Sequence, residues 1–369
     1  MNQPTKEKIF LIIMVILTLV FLKNIIVNSS LNPLEKKSHS IELAIEKGVQ
    51  FIVQKQEPYG EVLIASCLGE SLQECFPAST PFGAAQALYS LRNLPKSQTD
   101  DFTKKALSFL QEEEEEGGIW GYFGSRYKFP RENIPMDEPD LEDMALISFI
   151  LRSNGIEFGD NYDLFQERRN EEGLFYTWLR GEPNQEFLIF PDEEVDCVIN
   201  ANVLLYLGES DPAVCSYLLE AIERKDEPCS IWYPSRFNLF YAISRAFNNG
   251  AECLGEGRDA IIEEILANQD QSGGFTAKLY TPFYGPKNVT NELETAFALN
   301  TLLNFGYGGE ETEKAVEYLL KNQRQDGSWA RGLWIHTFNP YSEGLCFGSE
   351  EFTTVLAIEA LHAYYSNNH

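Results

Sequence analysis

Four short acidic runs stand immediately before apolar stretches: Asp140-Leu-Glu142-Asp143-Met-Ala145, Glu194-Val-Asp196-Cys197, Glu292-Leu-Glu294-Thr295 and Glu350-Glu351-Phe-Thr353. Carboxylates in this setting do one of two things. In the first turn of a helix they meet unpaired amides and the positive end of the helix dipole, a gain of ~0.3–1 kcal/mol each. Crowded together out of water, they repel one another until one keeps its proton near neutrality. A protonated carboxyl facing an apolar substrate is a general acid. Asp140 and Asp143 stand at i and i+3 and share a helix face. Glu142 lies between them, and Asp196 belongs to the next cluster. Helix capping and proton donation are both open readings of these residues.

The elements that would position them come in copies. The octet NQRQDGSW (322–329) contains Gln323-x-x-x-Gly327-x-Trp329, and NQDQSGGF contains Gln269-x-x-x-Gly273-x-Phe275. Weaker copies begin at Gln56, Gln111 and Arg169, and a degraded one ends at Trp232, so the motif recurs roughly every 55 residues. Each copy is preceded by an amphipathic helical pattern, as in TEKAVEYLLKNQ (312–323), where Ala315, Val316, Leu319 and Leu320 share a face. Each is accompanied by a stretch that is apolar nearly all round: GAAQALYSL, MALISFIL, INANVLLYL, AFALNTLL and VLAIEAL. A helix apolar on every side is buried. Six outer and six buried helices satisfy their stacking best by closing into a ring, so the expected fold is an all-α (α/α)6 toroid over residues 40–366. All inner helices of such a ring open on one face, which gathers the acidic runs around one mouth. In each motif, Gln is expected to serve the unpaired carbonyls ending its own helix, Gly to permit a left-handed stop, and the aromatic to cover the joint.

The Q-x-x-x-G-x-W turns resemble the repeats of the terpenoid cyclase and protein prenyltransferase superfamily, and GSEEFTTVLAIEAL (348–361) is similar to the last inner helix of squalene-cyclase-like domains. The resemblance implies a single squalene-cyclase-like toroid. Class II terpenoid cyclases carry D-x-D-D-T-A where this chain has DLEDMA (140–145). By that match Glu142 is the proton donor, Asp140 and Asp143 tune it, and the substrate is an isoprenoid or another apolar lipid, cyclised or isomerised without a metal or other cofactor. Glu stands where the family has its donor Asp, and Met144 where it has Thr. The prenyltransferase zinc set is incomplete: Asp196 and Cys197 are adjacent rather than one residue apart, and the last inner helix has no His before His362.

Composition narrows the partners. A net charge of −27 over 369 residues excludes a phosphate-binding basic face, hence nucleic acid. Aromatics cluster at Trp120–Phe129, at Trp232–Tyr241 and at Trp334–Phe338, either as core or as faces for a cation. Residues 1–39 are set apart from the toroid as a hydrophobic segment and linker. FLIIMVILTLVFL (10–22), flanked by Lys6, Lys8 and Lys23 and continued by Ile25, Ile26 and Val27, reads as a single-pass membrane helix through Val27 with the toroid extracytoplasmic, or as a signal peptide cleaved near Ser29 or Ser30, which leaves a secreted protein. Cys67 and Cys75 can pair in an oxidising compartment. Cys197 and Cys215 read as small buried hydrophobes, and seven cysteines leave at least one thiol free. Two other functions fit the same ring: a non-catalytic toroid binding a ligand or protein at the membrane, and a carbohydrate-active (α/α)6 enzyme using paired carboxylates.

Overall fold

The computed structural model describes residues 33–126, 139–179, 194–225, 229–281, 285–336 and 345–368. The chain divides into two units, Met1–Leu43 and Ala44–His369. The described part of the first is the opening of helix α1 (Pro33–Lys55). Among the described residues no helix is long and apolar enough to cross a membrane. The apolar stretch from Phe10 to Val27, expected to anchor the chain or to be cleaved, lies outside the described residues.

In the second unit six helices form an inner layer: α2 (Pro81–Leu91), α4 (Leu141–Ser153), α6 (Cys197–Leu207), α8 (Arg236–Asn248), α10 (Glu292–Asn304) and α12 (Glu350–Asn368). Each packs on the next, and α12 returns to pack on α2, so the ring closes. Every residue of α2 is buried, as its apolar all-round pattern demands. The outer layer holds α3 (Lys96–Glu112), the short α5 (Tyr162–Glu167), α7 (Pro212–Glu223), α9 (Arg258–Leu266) and α11 (Glu310–Asn322), with α1 serving the first repeat. One face of α11 buries Thr312, Ala315, Val316 and Leu319.

The repeated turns hold neighbouring repeats together. The Gln323 amide donates to Gly327 O (3.0 Å) and to Ala44 O of α1 (2.8 Å). Gln269 donates to Gly273 O and to Glu311 O of α11, and Gln56 to Gly60 O and to Phe102 O of α3. The expected role of Gln is thereby corrected. It satisfies the carbonyl of its own glycine and one in the next outer helix, because the tight turn aims its amide outward along the belt. Gly327 has φ +91°, and a Cβ there would lie 2.3 Å from Lys47 O; no other residue fits. Trp329 fills the joint, wholly buried, with its indole N–H on Leu319 O and its backbone N–H on the Thr354 hydroxyl of the last inner helix.

Short strands cross the opening face. β1 (Ile64–Leu68) and β2 (Glu74–Ala78) form a hairpin before α2, while β5 (Ile335–His336) and β6 (Leu345–Phe347) precede α12. They assemble as an antiparallel sheet in the order β2-β1-β6-β5, joining the first repeat to the last. A second hairpin pairs β3 (Thr276–Leu279) with β4 (Lys287–Thr290). Three disulfides are present: Cys67–Cys75, Cys197–Cys229 and Cys215–Cys253. The reading of Cys197 and Cys215 as lone hydrophobes is therefore wrong. Cys197 opens α6 beside the loop carrying Cys229, and Cys215 lies on α7, which packs on the 3-10 turn Glu252–Gly257 holding Cys253. The remaining thiol, Cys346, is buried.

Candidate active site

The inner helices begin together on one face, and side chains at their starts meet across it. Asp140 caps α4, its Oδ1 accepting Asp143 N–H at 2.7 Å. Asp196 caps α6 in the same way, accepting from Val198 and Ile199. Ser235 caps α8, and its hydroxyl also donates to Glu294 at the start of α10. Capping accounts for Asp140 and Asp196. It does not account for Glu142, Asp143 or Glu294, which are buried in the first turns without serving any amide there.

Glu142 is held by both oxygens. Asn202 of α6 donates its amide to Oε1 at 2.6 Å, and the Tyr233 hydroxyl bonds to Oε2. The orientation of the Asn202 amide is set by Arg245 of α8, whose guanidinium donates to Asn202 Oδ1 at 2.7 Å. Arginine only donates, so Asn202 must show it oxygen and turn its N–H2 toward Glu142. When Glu142 is neutral its proton therefore resides on Oε2, the oxygen that also accepts from the Tyr233 hydroxyl. Burial, with Asp140 and then Asp196 adding repulsion, pushes the Glu142 carboxyl up to about 8, against the pull of Tyr233 and Arg245. Burial also raises Asp143 well above its ordinary value, with Asp140 and Glu142 contributing. Asp143 Oδ2 has no hydrogen-bond partner. Burial carries Asp140 and Asp196 each to about 6, and Glu194, beside Asp196, to about 7. Glu294 reaches about 8 through burial alone, softened by Ser235.

The structure thus brings Asp140, Glu142, Asp143 and Asp196 into one electrostatic group. It does not bring the run at Glu350 and Glu351 there. Glu350 pairs with Arg324 (2.7 Å) and Arg331, and Glu351 with Lys55, because these side chains leave the first turn of α12 toward the outer layer.

Next to the acids lies a layer of rings. Tyr233 stands 6.5 Å from Trp334, which stacks on Phe352 at 4.0 Å and Phe82 at 4.9 Å. Phe297 continues the layer from Phe352 to Tyr241. Beneath them a polar chain crosses the ring: Arg245 donates to Gln86, Gln86 to Tyr241 and Ser90, and both hydroxyls donate to Glu359. Tyr127, Phe129 and Phe338, expected among the aromatic clusters, lie outside the described residues. Trp120 is wholly buried in the second joint and belongs to the belt.

Asn202, Tyr233 and Arg245 carry as much of the site as the acids do. Their signal in the sequence was the isolated polar residue inside an apolar inner helix: Asn202 in INANVLLYL and Arg245 in FYAISRAF. Among the described residues no His, Cys, Asp and Glu group is arranged to hold a metal ion.

A closed ring of six inner helices inside an outer belt is an α/α toroid, the fold also seen in solved terpenoid cyclases. Among solved structures it is similar to the type II terpene cyclase MstE from Scytonema, solved with its substrate geranylgeranyl dihydroxybenzoate: 14% identity, TM-score 0.67, covering 90% of this chain and 99% of that one. It is also similar to ent-copalyl diphosphate synthase from Streptomyces platensis, at 14% identity and TM-score 0.51 over 78% of this chain and 50% of that one. A possible member of the GH105 family from Klebsiella pneumoniae aligns with TM-score 0.52 at 12% identity, over 92% of this chain and 95% of that one. No protein-family model and no curated protein matches the chain.

Proposed function

We propose that this protein is an acid-initiated cyclase or isomerase of an isoprenoid or similar apolar lipid, with Glu142 as the proton donor. The observation that carries this reading is a buried carboxyl, fixed by Asn202 and Tyr233 beside the ring layer of Tyr233, Trp334, Phe82 and Phe352, with burial raising it to about 8. In the first step the Oε2 proton passes to an alkene carbon of the substrate. The carboxylate left behind is stabilised by the Asn202 amide and the Tyr233 hydroxyl, with Arg245 behind them. Aromatic faces stabilise the cation formed, and loss of a proton from the rearranged skeleton ends the reaction with no net change in composition. Asp140 and Asp196 tune the donor: their charge adds to burial in keeping its proton on near neutrality, and Asp143, itself raised beside Asp140 and Glu142, belongs to the same acidic group. MstE, of the same fold, takes a geranylgeranyl-bearing substrate, and that supports the substrate class.

We further propose that residues 10–27 hold the toroid at a membrane with its ring outside the cytoplasm, or release it there after cleavage. Three disulfides support an oxidising compartment. Protease protection of the full chain in sealed membrane vesicles tests this: digestion of the ring from the cytoplasmic side refutes it.

The test of the activity is incubation of the detergent-solubilised full chain with squalene, oxidosqualene, geranylgeranyl diphosphate and geranylgeranyl-substituted aromatics, beside Glu142→Gln. A cyclised or isomerised product that disappears in the variant is expected. Equal products from both proteins, or none from either, refute the reading.

A further inference from the structure

The sheet β2-β1-β6-β5 places four reactive residues in one row. The registers oppose Cys75 to Cys67, Cys67 to Cys346, and Cys346 to His336. Residues directly opposite in an antiparallel ladder project to the same face, so a disulfide, a free thiol and an imidazole lie side by side.

The hydrogen-bond pattern gives their spacing. Gly348 N–H bonds to Ala65 O, so this is a hydrogen-bonded pair; alternation two residues on makes Cys67 and Cys346 another. Such a pair has its Cα atoms about 5.5 Å apart, within the span of roughly 4.4–6.8 Å that a disulfide bridges. On the other side of β1, Cys67 and Cys75 form the narrow kind of pair, with Cα atoms 4.0 Å apart. On the far side of Cys346, His336 points its backbone N–H away from β6, to Trp232 O. Cys346 and His336 are therefore a narrow pair with their side chains close.

The imidazole offers a bare nitrogen to a proton, and burial holds the ring below the usual imidazole range, so the imidazolium is only a transient of the step. His336 is 5% exposed, and its Nε2 faces Tyr280 O, which can only accept. The ring hydrogen is thus on Nε2, and among the described residues Nδ1 has no hydrogen-bond partner.

We propose that these residues form a thiol–disulfide exchange site in which Cys346 attacks Cys67 and releases Cys75. The Cys346 proton passes to His336 Nδ1. The thiolate forms a bond to Cys67 Sγ as the Cys67–Cys75 bond breaks. Cys75 leaves as a thiolate and takes back a proton from the imidazolium. Nothing is oxidised or reduced overall, so no co-reactant is needed. Burial, with the Glu70 carboxylate adding to it, pushes the Cys346 thiol up to about 12, so the resting thiol is protonated and exchange depends on the neighbouring base.

The two isomers differ in what they staple. Cys67–Cys75 fastens a hairpin to itself. Cys67–Cys346 fastens the hairpin before α2 to the strand leading into α12, across the line where the ring closes. Exchange also leaves a free thiol on Cys75, which is part-exposed in the edge strand. The exchange does not depend on the proton chemistry at Glu142.

The experiment is disulfide mapping of the purified full chain. After incubation at neutral pH, the protein is quenched with N-ethylmaleimide under denaturing conditions and digested without reduction. A fraction with Cys75 alkylated and Cys67 linked to Cys346 is expected; alkylation confined to Cys346 overturns the proposal. Cys75→Ser, treated with oxidised glutathione, is expected to form Cys67–Cys346. A folded variant, verified by circular dichroism, that yields only glutathione adducts or free thiols at both positions overturns it as well. Where that variant does not fold, the mapping of the unaltered chain decides. His336→Gln is expected to slow equilibration at least tenfold, and an unchanged rate removes His336 from the step.

Discussion

At the belt, the Gln323 amide reaches two carbonyls, the Trp329 indole reaches a third, and Gly327 fits against Lys47 with no room to spare. At the mouth, Asp143 and Glu294 each bury an oxygen that has no partner among the described residues, and burial pushes the Glu142 carboxyl up to about 8. Both regions come from the same repeat. The belt satisfies its polar groups and so stabilises the ring. The mouth leaves some unsatisfied, which costs stability and leaves protons available. Substitutions at the belt should therefore unfold the protein, and neutralising substitutions at the mouth should disarm it while leaving the fold intact or firmer.

The largest effect expected is at the mouth. Glu142→Gln should lower the turnover of an acid-initiated reaction by about 100- to 10,000-fold, with an unchanged or higher melting temperature, measured by product formation and calorimetry on one preparation. Loss of fold and activity together would erase the distinction. Next comes Gly327→Ala, which forces a Cβ against Lys47 O at positive φ. A loss of about 3 kcal/mol is expected from denaturant unfolding, since both the strain and the overlap act. Gln323→Ala leaves Ala44 O and Gly327 O without their donor and should cost about 1–3 kcal/mol.

The smallest effect is a slope. The carboxyls of Glu142 and Glu294, raised to about 8 in the fold, contribute stability that is fully present below their unfolded value of 4.5 and is lost as pH rises through about 8. The melting temperature should thus fall between pH 5 and pH 9. Glu294→Gln should flatten that fall, and an unchanged slope would mean that Glu294 is not buried as a neutral acid.

The ring itself was legible because its signal repeats: Gln, Gly and an aromatic at fixed offsets, with an apolar stretch between copies. The acids at 140–143 and 196 were legible because a carboxylate before an apolar run is conspicuous. The sheet was not, since β5 and β6 are two and three residues long, and β6 pairs with a strand some 280 positions away. No alternation can develop over so few residues. Asn202 and Arg245 were visible as polar residues among apolar ones, but their partners lie on other helices, and only the closed ring brings them together. The same holds for Cys197 and Cys215, whose partners are set by how loops return to α6 and α7.

The bond from Gln323 to Ala44 has a consequence for how the molecule is made. An open stack of repeats can settle one unit at a time as it leaves the ribosome. Here the first outer helix waits for a donor 279 positions downstream, and α2 waits for α12. Early repeats must hold an uncovered flank throughout synthesis, exposed to aggregation and to chaperones. Closure then comes as one late, long-range event, so this protein should fold slowly for its helix content.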